Sequence, residues 1–364
     1  MPKIALLTRY DMMGASSRVR SLQYLPIFEA AGLQLEHFPL LSNEYVRRLY
    51  AGERSKALQF QMLWKRICAM PSIADPKRFD LLWIEKELLP YLPYGLERWL
   101  LGNKVPFALD FDDAIFHNYD CASNPAIRML MGRKIDKLMA RSSLVICGNG
   151  YLADRARRAG APWVEILPST IDFEKYRPLP APVQDEISAD NPLRIIWIGS
   201  PNTVQYLELA RPALAQLQER HPLELRIIGS ERNWPEIKTI SIPWSSDTEA
   251  AELNKAHVGI MPLLNTPWEQ GKCGFKLIQY MAAGLPIIGS DVGMNKDIVQ
   301  VGENGLLTNT RQDWIDSLET LAKSPELRSR MGAVGRRLAE ERYSIQAVGP
   351  KLAALLAQAA TAPR

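Results

Sequence analysis

Short, largely apolar runs alternate with amphipathic stretches along nearly the whole chain. Residues 4–7, 80–84, 107–109, 144–147 and 164–167 read as strands buried on both faces, as in a parallel sheet covered by helices. Between them lie helical patterns, among them one ending near Gly32, one over 45–70, one over 127–141 and one opening at Gly148-Asn149-Gly150. Residues 178–191, PLPAPVQDEISADN, carry three prolines and no periodicity, which marks a linker. The pattern then restarts, with strands at 194–198, 225–228, 240–244, 258–261 and 286–289 and a long helix at 204–220. The expected fold class is α/β, with two doubly wound Rossmann-like domains at 1–177 and 192–345. An alanine-rich helix at 346–364 is expected to pack back on the first domain.

One stretch concentrates these signals. In WEQGKCGFKLIQYMAAGLPIIGSD, residues 268–291, Lys272 and Gly274 precede an apolar stripe of Leu277, Ile278, Met281 and Ala282. Gly284 ends the helix, and Pro286 begins a buried strand. A helix N-terminus attracts anions, and Lys272 and Lys276 add full charges beside it. An ordinary amphipathic helix with solvated lysines would read the same way.

Composition narrows the class. With 364 residues, 47% hydrophobic and 23% charged, the chain is sized for two globular domains. A net charge of +4 is too mild to argue for nucleic acid. Cys68, Cys121, Cys147 and Cys273 have no CxxC spacing, so no zinc site or disulfide framework is indicated. MPKIALLTRY holds an apolar run too short for a signal-peptide core, and no window is long enough to span a bilayer. The expected setting is cytoplasmic.

Candidate chemistry gathers at the ends of the strands. After the first comes a small-residue loop with Gly14, followed by Arg18 and Arg20, which could hold a phosphate or carboxylate or simply face solvent. Glu85, Lys86 and Glu87 follow another strand. Asp110, Asp112 and Asp113 follow a third, with His117 nearby. Three carboxylates in four residues repel unless a metal, a cation or a raised pKa relieves them, although an acidic turn capping a helix is the plainer alternative. In the second half, Gly199, Ser200 and Thr203 open a helix as a phosphate loop or a simple cap, and Trp244 could stack on a base. Two basic segments, 45–70 and 127–141, suit either a solvated helix face or an anionic membrane surface.

The chain resembles the GT-B architecture, and its residues are similar to glycosyltransferase family 4, whose retaining enzymes carry an E-x7-E motif before a MAxGxPVI run. Met281-Ala282-Ala283-Gly284-Leu285-Pro286-Ile287-Ile288 matches that run, and Gly302-Glu303-Asn304-Gly305-Leu306-Leu307 matches the family's segment after it. KCGFKLIQYMA and DFDDAIFH look like a variant subgroup. The resemblance implies two domains facing a cleft and transfer of a hexose from a nucleoside diphosphate sugar to a hydroxyl, with retention and without cofactor or metal. The motif's second glutamate, which binds ribose, falls on Gln279. The first, which contacts the donor sugar, falls on Gly271, with Glu269 a possible substitute two residues earlier. Lys272, Gly274 and Lys276 are the implied diphosphate residues, with Gly14, Gly199, Ser200 and Thr203 lining the donor site. Arg18, Arg20, Glu85, Asp112, Asp113 and His117 are the implied acceptor-side residues, Asp112 or Asp113 orienting the acceptor hydroxyl. The implied acceptor is a glycan or lipid-linked molecule of the bacterial envelope, met at the inner face of the membrane. A D-x-D metal site of a GT-A enzyme and a phosphatase nucleophile loop are rivals for the acidic cluster. A catalytically silent sugar-nucleotide binder or partner subunit is the rival from another class, since Gly271 lacks the motif carboxylate.

Overall fold

The computed structural model describes residues 1–50, 53, 55–176 and 186–361. Arg54 and residues 178–185 of the expected linker lie outside the described residues. The chain divides into two compact units, one of Met1–Ser169, Gly271–Cys273 and Val348–Arg364, the other of Thr170–Gln270 and Gly274–Ala347. The expected edge of the first domain at residue 177 is thus too late. Ile171 bonds through its backbone with Tyr343 and Ile345 at 2.8 and 3.0 Å, which draws the segment after Ser169 into the second unit.

The first unit is built on six strands, β1 (Lys3–Tyr10), β2 (Gln34–Leu41), β3 (Leu81–Glu85), β4 (Phe107–Phe111), β5 (Leu144–Cys147) and β6 (Val164–Ile166). All pair in parallel, in the order β2-β1-β3-β4-β5-β6. The central strands β3, β4 and β5 are buried along their whole length, as continuous apolar runs require when helices cover both faces. Strand β2 was not expected. It is an edge strand in which Glu36 and His37 interrupt the apolar positions and Pro39 removes a donor, so it lacks the signal of a buried strand. The helix expected to end near Gly32 comes as three short pieces, with Pro26 at the start of the last. The basic stretch 127–141 is likewise two helices, Pro125–Met131 and Lys134–Arg141, broken at Gly132 and Arg133.

The second unit repeats the scheme with β7 (Leu193–Ile198), β8 (Leu223–Ile228), β9 (Thr239–Ile242), β10 (Val258–Met261), β11 (Ile287–Ser290) and β12 (Gly305–Thr308). Its order is β12-β11-β10-β7-β8-β9, again all parallel. Ile195, Trp197, Leu225, Ile227, Ile260 and Ile288 send their side chains into one core with the helices. The long helix expected at 204–220 is a 3-10 turn, Val204–Leu209, and a separate helix, Arg211–Gln218, because Pro212 suits a helix start and not an interior.

In each sheet the strand order reverses beside the first strand of the unit, between β1 and β3 and between β7 and β10. Ligands of open α/β sheets bind outside the carboxyl ends of the strands at such a point. Among the described residues no helix is long and apolar enough to cross a membrane.

Candidate functional site

The reversal point of the first sheet is dense in charge. Strand β4 continues through Asp110 and Phe111, so Asp110 is a strand residue that points into the interior. There the Arg20 guanidinium grips it with two bonds, Nε to Oδ1 at 2.7 Å and Nη2 to Oδ2 at 3.1 Å, and Nη1 donates to the Leu167 carbonyl at 3.0 Å. Both side chains are nearly inaccessible, 4% and 3% exposed, so Arg20 is not available to an acceptor as expected from sequence. Burial pushes the Asp110 carboxyl up to about 6, although Arg20 pulls against it.

Asp112 and Asp113 follow on the surface side. The Lys86 ammonium lies 2.7 Å from Asp112 Oδ1 and 3.5 Å from Asp113 Oδ2. Lys272 reaches Asp113 Oδ1 at 2.8 Å. Burial alone would raise Asp112, but Lys86 and the Ser16 hydroxyl outweigh it and hold the carboxyl down at about 2. Relief of the acidic cluster therefore comes from cations, Arg20, Lys86 and Lys272, one of the alternatives posed by the sequence. Lys86 pairs through its backbone N–H with the Asp110 carbonyl at 2.8 Å and sits at φ +65°. That left-handed conformation is costly for a side chain and recurs at functional sites.

Glu85, at the end of β3, is buried and accepts three bonds, from Ser16 Oγ at 2.6 Å, Ser17 Oγ at 2.5 Å and the Arg9 backbone N–H at 2.9 Å. Ser16 also lies 2.9 Å from Asp112 Oδ2. A hydroxyl has one proton, so Ser16 serves one of these carboxylates at a time and the other has room for a donor from outside. Gly14 sits in the preceding loop with Tyr10 behind it, where a Cβ would collide with the Tyr10 side chain. Arg18 donates to the Met12 carbonyl at 3.2 Å. His117 does not join the aspartates: its Nδ1 lies 2.8 Å from Asp120 Oδ1 and its Nε2 2.8 Å from the Tyr151 hydroxyl.

Gly271–Cys273 belongs to this unit. Cys273 Sγ donates to the Asp112 carbonyl at 3.1 Å, and Asn149 donates to the Lys272 carbonyl at 3.1 Å. Gly271 is pressed against Ala114, and a Cβ there would stand 2.5 Å from the Ala114 Cβ and 2.7 Å from its backbone nitrogen. In this backbone position 271, set against a glutamate in the motif the chain resembles, admits no side chain. Lys272, expected beside a phosphate, pairs with Asp113.

The second sheet's carboxyl end is built differently. Gly199 follows β7, and a Cβ on Gly229, which follows β8 at φ +80°, would lie 2.6 Å from the Gly199 carbonyl oxygen and 3.3 Å from the Trp244 Cβ. Trp244 donates its indole N–H to Glu249 Oε2 at 2.5 Å. Glu249 Oε1 accepts from the Gln279 amide at 2.8 Å and from the Tyr176 hydroxyl, which is itself 3.2 Å from Gln279. Lys276 lies over the Trp197 ring at 5.4 Å, in the first turn of the helix Phe275–Ala282. That helix begins after Gly274, whose φ of +64° favours glycine and whose Cβ would collide with Ile298. Thr203 donates to the Ser200 carbonyl at 3.1 Å. Glu269 is buried among the Tyr206 and Thr266 hydroxyls, both of which donate to it. Glu249 was missed from sequence because it sits on a short polar helix, Glu249–Leu253, with no motif around it.

Two parallel six-stranded units of this kind define the GT-B fold of glycosyltransferases. Residues 192–324 match the family described as Glycosyl transferases group 1, so that part of the chain carries a glycosyltransferase domain. The fold is shared with the sucrose-phosphate synthase of Thermosynechococcus elongatus, at a TM-score of 0.73 and 14% identity over 98% of this chain and 99% of that one. It is also shared with Anabaena HepE, solved in complex with UDP and glucose, at a TM-score of 0.70 and 12% identity over 98% and 100%. Among curated proteins, spore coat protein SA of Bacillus subtilis (strain 168) is 36% identical over 75 residues, a match that spans 20% of each chain.

Proposed function

We propose that the protein is a retaining glycosyltransferase that moves a hexose from a nucleoside diphosphate sugar to a hydroxyl of a glycan or lipid-linked acceptor in bacterial envelope synthesis. In that reaction the bond from the sugar's anomeric carbon to the diphosphate breaks, a bond to the acceptor oxygen forms, and the acceptor proton leaves with the diphosphate. The observation that carries the reading is in the matched domain. Gly199, Gly229, Trp244, Glu249, Lys276 and Gln279 connect through contacts at the carboxyl end of its sheet. The glycines let backbone approach a ligand, and the N-terminus of the helix Phe275–Ala282 with Lys276 meets diphosphate charge. Glu249 and Gln279 supply the ribose contacts, Glu249 standing in for the carboxylate that the motif has at position 279. HepE, which shares the fold, was solved with UDP and glucose, and UDP is the first nucleotide to try.

On the acceptor side, Asp112 takes the incoming hydroxyl as the donor that Ser16 leaves free. Held at about 2, its carboxylate orients that hydroxyl without keeping its proton. No metal is needed to balance the diphosphate in this scheme. Phe60 and Trp64, 71% and 59% exposed on the helix Lys56–Ile73, and Trp99, 72% exposed on the neighbouring helix Tyr94–Leu101, support a peripheral contact with the cytoplasmic face of a membrane. Lys56, Lys65 and Arg98 lie exposed on the same helices.

Calorimetric titration with UDP, GDP and their glucose and mannose derivatives, in Mg²⁺ and in chelator, tests the reading. Micromolar binding of one nucleotide that is indifferent to chelator supports it, and binding to none overturns it. The closed position at Gly271 favours one other reading, a sugar-nucleotide binder without turnover. Product formation that is lost in Asp112→Ala excludes that reading.

A further inference from the structure

His117, Asp120 and Cys121 bring an imidazole, a carboxylate and a thiol to one point of the first unit, and the sugar transfer proposed above uses none of them. His117–Asp120 is a single helical turn with Cys121 directly after it, so positions i, i+3 and i+4 fall on one side. His117 Nδ1 lies 2.8 Å from Asp120 Oδ1 and 3.3 Å from Cys121 Sγ, and the three ligand atoms all fall within 4.8 Å of one another. The ring is fixed from behind by the Tyr151 hydroxyl on Nε2 at 2.8 Å and by the edge of Phe116, whose centroid is 4.6 Å away.

We propose that this turn binds a borderline-soft divalent cation of the Zn²⁺ class through His117 Nδ1, Asp120 Oδ1 and Cys121 Sγ. Zinc bonds of about 2.0 Å to nitrogen and oxygen and about 2.3 Å to sulfur put ligand atoms roughly 3.3 to 3.5 Å apart around a tetrahedral ion. The sulfur–nitrogen pair already matches, and the nitrogen–oxygen pair has to open by roughly half an ångström. On binding, the Cys121 thiol loses its proton to solvent and the metal takes the Nδ1 lone pair. His117 then carries its proton on Nε2 and donates it to Tyr151, a bond on the far side of the ring that orients a ligating imidazole. The thiolate and carboxylate cancel the dication's charge. Arg155, 2.9 Å from the other oxygen of Asp120 and 2.6 Å from Asp136, therefore keeps both partners without facing a net positive neighbour. A thiolate ligand selects against Mg²⁺. Cys121 is exposed, so the fourth coordination position is open to solvent.

Titration of the full chain with Co²⁺ after chelator treatment reads the site directly. The expected result is one equivalent bound, with a thiolate-to-cobalt charge-transfer band in the near ultraviolet that one equivalent of Zn²⁺ abolishes. Cys121→Ser and Asp120→Asn each lose the band or weaken binding, Tyr151→Phe weakens it by roughly tenfold, and Cys68→Ser leaves it unchanged. No band, or a band that survives Cys121→Ser with the fold intact by circular dichroism, overturns the proposal. So does a zinc absorption-edge spectrum that shows an all-oxygen shell. None of these readouts depends on sugar transfer.

Discussion

At the carboxyl end of the first sheet Glu85, Asp110, Asp112 and Asp113 stand against Arg20, Lys86 and Lys272, whereas at the end of the second Glu249 is held by the neutral donors of Tyr176, Trp244 and Gln279. Removing one member of a buried ion pair strands its partner, so the first arrangement couples its chemistry to folding stability. Neutral donors around one carboxylate can be exchanged at less cost to the fold, but a second negative charge there would repel Glu249. The first region therefore breaks through stability, the second through ligand affinity.

The sharpest way to break the comparison is Arg20→Ala. It leaves Asp110 buried without its bidentate partner, and the expected loss is about 4 kcal/mol in urea unfolding. A loss under about 1 kcal/mol would show that the pair is not structural. Gly271→Glu comes next. A side chain wedged against Ala114 should cost about 3 kcal/mol of thermal stability and bring no gain in turnover. A stable, more active variant would mean that the position opens.

The pH dependence separates two carboxylates of the same cluster. Asp112, lowered from 3.8 to about 2, adds stability that is fully present above about pH 4 and is lost as pH falls towards 2. Asp110 has the opposite sign. Raised to about 6, it binds a proton more readily folded than unfolded, so its contribution declines as pH rises from about 4 to 6. Comparing wild type with Asp112→Asn, the drop in unfolding free energy between pH 4 and pH 2 should shrink by about 2 kcal/mol. Parallel curves would rule out the Lys86 pairing as its cause. The smallest effect is expected in the second region. Gln279→Glu sets a carboxylate 2.8 Å from Glu249, and the like-charge repulsion should weaken UDP binding by about tenfold, or 1.4 kcal/mol. Unchanged affinity would remove Gln279 from the donor site.

The contrast also explains what could be read along the chain. Strands β5 and β10 declare themselves because residues buried on both faces form unbroken apolar runs, and β3 and β4 do so up to Glu85 and Asp110 near their carboxyl ends. Strand β2 and the break at Pro212 do not, since an edge strand carries polar positions and a single proline weighs little in a long periodic stretch. The acidic cluster was visible from spacing alone. Its cations were not, because Lys272 lies 159 residues from Asp113 and Lys86 carries no motif of its own. His117 looked like a partner of the aspartates by proximity in sequence, but one helical turn points its ring towards Asp120 and Tyr151 instead. Gln279 was singled out as a candidate through the MAxGxPVI run beside it. Glu249, its partner, was not.

The first unit is assembled from three separate pieces of chain, Met1–Ser169, Gly271–Cys273 and Val348–Arg364. During synthesis this means that its sheet emerges long before its last helix. At about 5 to 20 residues per second, the stretch from Ser169 to Val348 takes roughly 10 to 40 s to make. The buried Asp110–Arg20 pair can form throughout that interval, Asp113 waits roughly 5 to 20 s of it for Lys272, and the surface that the final helix covers stays bare to its end. The charged site is therefore completed after its own sheet and the final helix later still, and that interval is when a chaperone or a protease would meet the unit unfinished.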